Sequence, residues 1–204
     1  MKAFRLLPFI IALMSLLNAC KKGEDVQPPI QLITNSDMEQ QPSLTRSRAD
    51  WLFGHYYNLT SNPNGYKATY TSEAASSGTH SLKINCEGIK NDTTFCFFEQ
   101  DILPTTLAVG SKLTLRAKIK TVNLKGQGIV LAMVGYKQVG DKNTTVFFPS
   151  TEKTTPITGT SEFNEYSVTL DRYPGNIDVI AVYLFYRPKT TGTAYVDDVT
   201  LTVN

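Results

Sequence analysis

The stretch Lys112, Leu113, Thr114, Leu115, Arg116, Ala117, Lys118, Ile119, Lys120 is apolar at every second position and polar or basic between. A period of two puts one set of side chains on one face of an extended strand, whereas a helix would scatter them around its axis. Shorter runs of similar kind occupy residues 65–71, 80–86, 95–102, 128–136, 144–148, 166–170, 178–186 and 194–203, separated by Gly, Asn, Pro, Asp and Ser. No segment carries a helical period. Pro63, Pro104, Pro149, Pro156 and Pro174 all fall between the runs, as they must where strands need their backbone donors. Many short strands with breaker-rich links predict an all-β chain folded as an antiparallel sandwich. Residues 30–204 make one domain of about 175 residues, long enough to bury a sizeable core.

The chain opens differently. Lys2 and Arg5 precede an apolar run of twelve residues, 6–17, which contains Pro8 and leads into Leu17, Asn18, Ala19, Cys20. Such a run is shorter than the roughly 18 residues a membrane span needs. The arrangement resembles a bacterial lipoprotein signal, with residues 1–19 removed and Cys20 lipidated. Acyl chains such as palmitate would then attach the chain to a membrane. Residues 20–29, polar and ending in Pro28 and Pro29, have the composition of a tether. Lys21 beside the cysteine resembles neither the inner-membrane retention signal of enteric lipoproteins nor its Asp, so the outer membrane is favoured. Glu24 and Asp25 resemble an acidic surface-export signal, or are simply solvated linker acids.

The same boundary resets the charge. Residues 1–19 hold two of the 20 Lys and Arg and none of the 18 Asp and Glu, so the mature chain balances at 18 against 18. A neutral chain without a basic block lacks the footprint of a nucleic-acid binder. With Cys20 spent on lipid, Cys86 and Cys96 remain, both on the apolar phase of neighbouring strand runs. Outside the cytosol they form either a disulfide or two buried thiols.

The order of local signals adds a family likeness. Asn35, Ser36, Asp37, Met38, Glu39 resembles the opening segment of jelly-roll carbohydrate-binding modules of the xylan- and glucan-binding type, within the galactose-binding-like superfamily. Trp51 follows, as a tryptophan does there. Ser77, Gly78, Thr79, His80, Ser81, Leu82, Lys83, Ile84 resembles a later strand of those modules, with Gln100 matching the glutamine of the strand after it. Ile157, Thr158, Gly159, Thr160 with Phe163 and Tyr166 resembles a further motif, carrying Phe where Trp is usual. Gly192 to Leu201, with Tyr195, Asp197 and Asp198, resembles the closing strand. The likeness covers nearly all of residues 30–204 and implies a jelly roll. It also implies a structural Ca²⁺ held by Glu39, with or without Asp37, and by Asp197 or Asp198, hard oxygen ligands drawn from both ends of the domain; the alternative is that Asp198 caps a loop or faces water while Glu39 is an exposed acid.

A sugar site needs rings for the apolar faces of the sugar and planar polar groups for its hydroxyls. Ile180 to Arg187 supplies both: if Ile180, Val182 and Leu184 face the core, Tyr183, Phe185 and Arg187 face outward. Met133, Lys137, Arg116 and Lys118 are neighbours in prospect, and Tyr57, with Tyr56 and Tyr66, is a candidate for the rim. Both phases of this strand and of 129–136 are apolar, which is unusual where the outer face meets only water. Either a ligand, a covering loop near 58–66 or a partner answers that. Trp51 is assigned to the core edge.

Catalytic signals are weak. His55 and His80, the only histidines, have neither metal-ligand spacing nor a nucleophile pattern. Glu99 and Asp101 share a strand face, but spacing alone does not give glycosidase geometry. Asp92, Thr93, Thr94 resembles a bacterial O-glycosylation site. The expected function is therefore a non-catalytic envelope lipoprotein that binds a poly- or oligosaccharide. The alternative is an interaction lipoprotein whose apolar face docks onto another envelope protein.

Overall fold

A computed structural model describes residues 29–42, 50–56, 62–154 and 157–203. The expected signal segment and Cys20 lie outside them, as does Tyr57. The described residues form ten strands and no helix: β1 (Ile30–Gln31), β2 (Leu52–Tyr56), β3 (Lys67–Thr71), β4 (Ser81–Cys86), β5 (Phe95–Ile102), β6 (Leu113–Val139), β7 (Lys142–Phe147), β8 (Ile157–Leu170), β9 (Val179–Tyr186) and β10 (Thr191–Val203). All pairings are antiparallel. The architecture is an antiparallel β-sandwich of the jelly-roll class.

One strand belongs to both layers. The first half of β6 pairs with β10 on one edge and β8 on the other, and β10 continues to β4 and β3. Its second half pairs with β9, which continues to β5 and β2, while β7 takes the opposite edge. Between the halves, Asn123, Gly126 and Gly128 have positive φ and the register with β8 shifts repeatedly. A Cβ on Gly126 would collide with the carbonyl of Lys189, and one on Gly128 with that of Ile157, so only glycine lets the chain turn from one layer into the other.

This corrects the reading of 112–120 and 128–136 as separate strands. The intervening Asn, Lys and Gly residues look like a loop because they break the alternation, yet their backbones stay in the ladder. β8 likewise begins well before residue 166; beyond the buried Ile157 its first half lacks a buried phase. β1 is too short to carry a period, and β2 has a glycine at its centre.

The core lies between the layers. Ile180, Val182 and Leu184 of β9 and Leu131 and Met133 of β6 meet Leu82, Ile84, Leu113, Leu115, Ile119, Val196 and Leu201. Trp51 is buried with them, its indole N–H donating to the Asn35 carbonyl at 3.3 Å. Gln100, buried, accepts from the Thr34 N–H at 2.9 Å and donates to its carbonyl at 3.1 Å, tying the opening segment to β5. Cys86 and Cys96 are buried free thiols, not a disulfide. They come from strands of opposite layers, and the Cys86 thiol donates to the carbonyls of Gly88 (3.4 Å) and Asn64 (3.6 Å). Burial pushes both thiols up, Cys96 well above the usual range, so neither is a ready thiolate.

Candidate functional site

Opposed residues of antiparallel strands share a face, so register alone assembles the outer surface of the β5-β9-β6 layer. Phe97, Phe185 and Val130 form one row across it, Glu99, Tyr183 and Ala132 the next, and Asp101, Ala181 and Val134 a third. The result is a second apolar cluster on the far side of the layer from the core, with Tyr136 packed beside it. Small residues on β6 make its floor, and rings from β5 and β9 rise above them.

The rings are closely arranged. Tyr183 and Phe185 stack with centroids 4.6 Å apart at 14°, and the edge of Phe97 meets Tyr183 at 5.5 Å and 81°. Gly54 of β2 makes room for Phe97: a Cβ there would lie 2.6 Å from its ring. Tyr183 is only 9% exposed, and its hydroxyl donates to Glu99 Oε1 at 2.8 Å. Burial first, then its hydrogen bond with Tyr136, pushes the phenol far above its ordinary range. Tyr183 is thus a fixed hydrogen-bond donor that holds a buried carboxylate in place.

Two cavities open on either side of this stack. One, of about 610 Å³, is lined by Tyr183, Glu99, Asp101, Tyr136, Gln138, Asp141, Asn143, Asp178 and Val179. Here Asp178 accepts from the Gln138 N–H at 2.7 Å and from Lys137 at 3.0 Å, which hold its carboxyl below the usual aspartate range. The other, of about 290 Å³, is lined by Thr93, Phe95, Phe148, Phe185, Arg187 and Pro188. Acceptors and donors therefore gather at one end and phenyl rings at the other.

Tyr183 and Phe185 lie on the outward phase of β9, as their alternation predicts, and Arg187, just past its end, lines the smaller cavity with Phe185. Met133 does not join them: it is fully buried on the core face, because the outward phase of β6 is Val130, Ala132, Val134 and Tyr136. Arg116 and Lys118 belong to the opposite layer, paired with Glu165 and Asp198. Lys137 is engaged with Asp178. Sequence reasoning missed Phe97, Phe148 and Tyr136. The alternation of β5 already put Phe97 in phase with Glu99, so that residue was open to inference; Phe148 closed the run 144–148, but alternation could not tell that the ladder ends at Phe147 and that the ring turns toward Phe185.

The carboxylates assigned by resemblance to calcium each accept hydrogen bonds from within the protein. Glu39 accepts from the N–H groups of Thr79 (2.8 Å) and His80 (2.9 Å) and from the Thr79 hydroxyl (2.9 Å). Asp197, fully buried, accepts from the N–H groups of Ser76 (2.6 Å), Ser77 (3.1 Å) and Asp198 (2.7 Å). Asp198 accepts from the Ser77 hydroxyl and pairs with Lys118 at 3.0 Å. Asp37 accepts from the Glu39 N–H at 3.4 Å. No group of three or more His, Cys, Asp or Glu suited to a metal occurs among the described residues. The set instead clamps the turn 76–80 from both ends of the domain.

No family model and no curated protein matches the chain. Solved structures do. A Bacteroides thetaiotaomicron protein classed as sugar-binding superposes with a TM-score of 0.58 at 12% identity, over 86% of this chain and 100% of that one. A CBM4 carbohydrate-binding module gives 0.55 at 18%, over 84% and 99%. The enzymatically active domain of tailspike protein 4 from bacteriophage CBA120 gives 0.57 at 13%, over 86% of this chain but 22% of its own. The chain thus spans about a fifth of that tailspike structure. At these identities the likeness defines the jelly-roll fold.

Proposed function

We propose that this protein is a non-catalytic carbohydrate-binding module that holds a poly- or oligosaccharide on the outer face of the β5-β9-β6 layer. The observation that carries the reading is the second apolar cluster of Val130, Ala132, Val134, Ala181 and Tyr183, flanked by the polar 610 Å³ cavity. A sandwich stabilises itself with one core; a second ring-bearing face opening into clefts suits a ligand with apolar faces and many hydroxyls. Its fold neighbours include proteins classed as carbohydrate-binding, which supports the choice of ligand. Phe185 supplies the stacking surface, and Glu99, oriented by Tyr183, accepts a sugar hydroxyl.

Affinity electrophoresis against a panel of soluble polysaccharides tests this. At least one polymer should retard the protein, and Phe185→Ala should abolish the retardation in a protein that is still folded by circular dichroism, though it melts lower because the ring packs against Tyr183, Phe97, Phe95 and Phe148. No retardation by any polymer would favour docking of the apolar face onto an envelope protein. Product release on the same panel would point to an enzyme. The proposal includes display from a membrane through Cys20, outer membrane favoured; labelled palmitate incorporated by wild type and not by Cys20→Ser is the expected result.

A further inference from the structure

We infer that the smaller cavity beside Phe185 is a subsite for a methyl-bearing sugar substituent, an O-acetyl group or the methyl of a deoxy sugar; this rests on the carbohydrate reading above. Three phenyl rings shape it. Phe95 meets Phe185 at 5.9 Å and 73°, and Phe148 meets Phe185 at 6.3 Å and 42°. None of these pairs is parallel, so the rings form a cup instead of a flat platform. A flat platform suits the broad face of a sugar ring. A cup surrounds a group on several sides, and hydroxyls placed there would lose water without gaining partners.

The polar groups at the rim agree. Arg187 is bridged to Glu152 at 2.7 Å, both about one-third exposed, so its charge is already answered and does not recruit an anionic sugar. Among the described residues, Thr93 is the only other polar side chain in the lining. Phe148, 44% exposed, is costly to leave in water, yet its loop is fixed in advance. The Met133 N–H donates to the Pro149 carbonyl at 3.1 Å and the Thr151 N–H to the Leu131 carbonyl at 3.0 Å, while the Leu131 N–H donates to the Thr151 hydroxyl at 3.1 Å. A large ring held outward on a rigid segment is preorganised for a partner. The stacked Tyr183 and Phe185 join this cup to the polar cavity, so one ligand spans both by offering hydroxyls at one end and a methyl at the other.

The test is calorimetric titration with acetylated xylo- and manno-oligosaccharides, with the same samples after mild alkaline deacetylation, and with a rhamnose-terminated oligosaccharide. A buried methyl group contributes about fourfold in affinity, so wild type should bind acetylated or rhamnose-terminated ligands about fourfold more tightly than unsubstituted ones. Which arm shows the preference tells acetyl from deoxy methyl. Phe148→Ala, an exposed-loop change, should erase the preference, so that acetylated, rhamnose-terminated and unsubstituted oligosaccharides bind the variant with equal affinity. Equal affinity in all arms, or a preference that survives Phe148→Ala, overturns the subsite. Failure to bind any oligosaccharide, with no polymer retarding the protein either, overturns the carbohydrate reading beneath it.

Discussion

Glu39 shows how one carboxylate serves as a fastener. The backbone N–H groups of Thr79 and His80, with the Thr79 hydroxyl, lower its pKa from 4.5 to about 2. A group whose folded pKa lies below its unfolded one stabilises the fold above the unfolded value and loses that contribution as pH falls toward the folded value. Wild type should therefore lose stability between pH 4.5 and about 2 more steeply than Glu39→Gln, measured as denaturant midpoints across that range. Tyr183→Phe makes a second test. It leaves Glu99 without its 2.8 Å donor while keeping the ring stack, so glycan affinity should fall about tenfold, as for a lost hydrogen bond to a charged group, with little change in ring packing. The residue types of this cleft were legible in β9, where alternation separates Tyr183 and Phe185 from Val182 and Leu184. That Tyr183 is covered rather than open was not, because burial on an outer face depends on Phe97 from another strand.

At the scale of elements, β6 is where sequence reading fell short. Its two alternating halves were plain, but a strand that continues through glycines at positive φ gives no period to follow. Gly128 tests that joint: φ is +75° and a Cβ would strike the Ile157 carbonyl. Gly128→Ala should destabilise by about 1–3 kcal/mol or more, the cost of backbone strain plus the displacement of β8. Gly110, at φ +90° with nothing within 4 Å, should lose only about 1 kcal/mol on change to Ala. Comparing the two by urea denaturation separates steric closure from conformational preference.

For the molecule as a whole, alternation and proline placement were enough to give a sandwich, since they report which residues face a core. Strand order across the layers was beyond a single chain, because pairing partners such as β5 and β9 are distant in sequence and their registers leave no local mark. The clamp of Glu39 and Asp197 on residues 76–80 uses N–H donors already present, so the melting temperature should be the same in EDTA and in calcium. Titration of denatured, unreduced protein lacking residues 1–20 should find both Cys86 and Cys96 free.

The passage of β6 through both layers also governs how the fold answers force. A pull on a chain held at Phe185 enters through β9 and passes along β6 into ladders with β8 and β10. Those ladders would be sheared lengthwise, many hydrogen bonds at once, instead of being unzipped singly from a margin. On the carbohydrate reading proposed above, tension of the kind a drifting polymer exerts should then detach the ligand before it opens the protein.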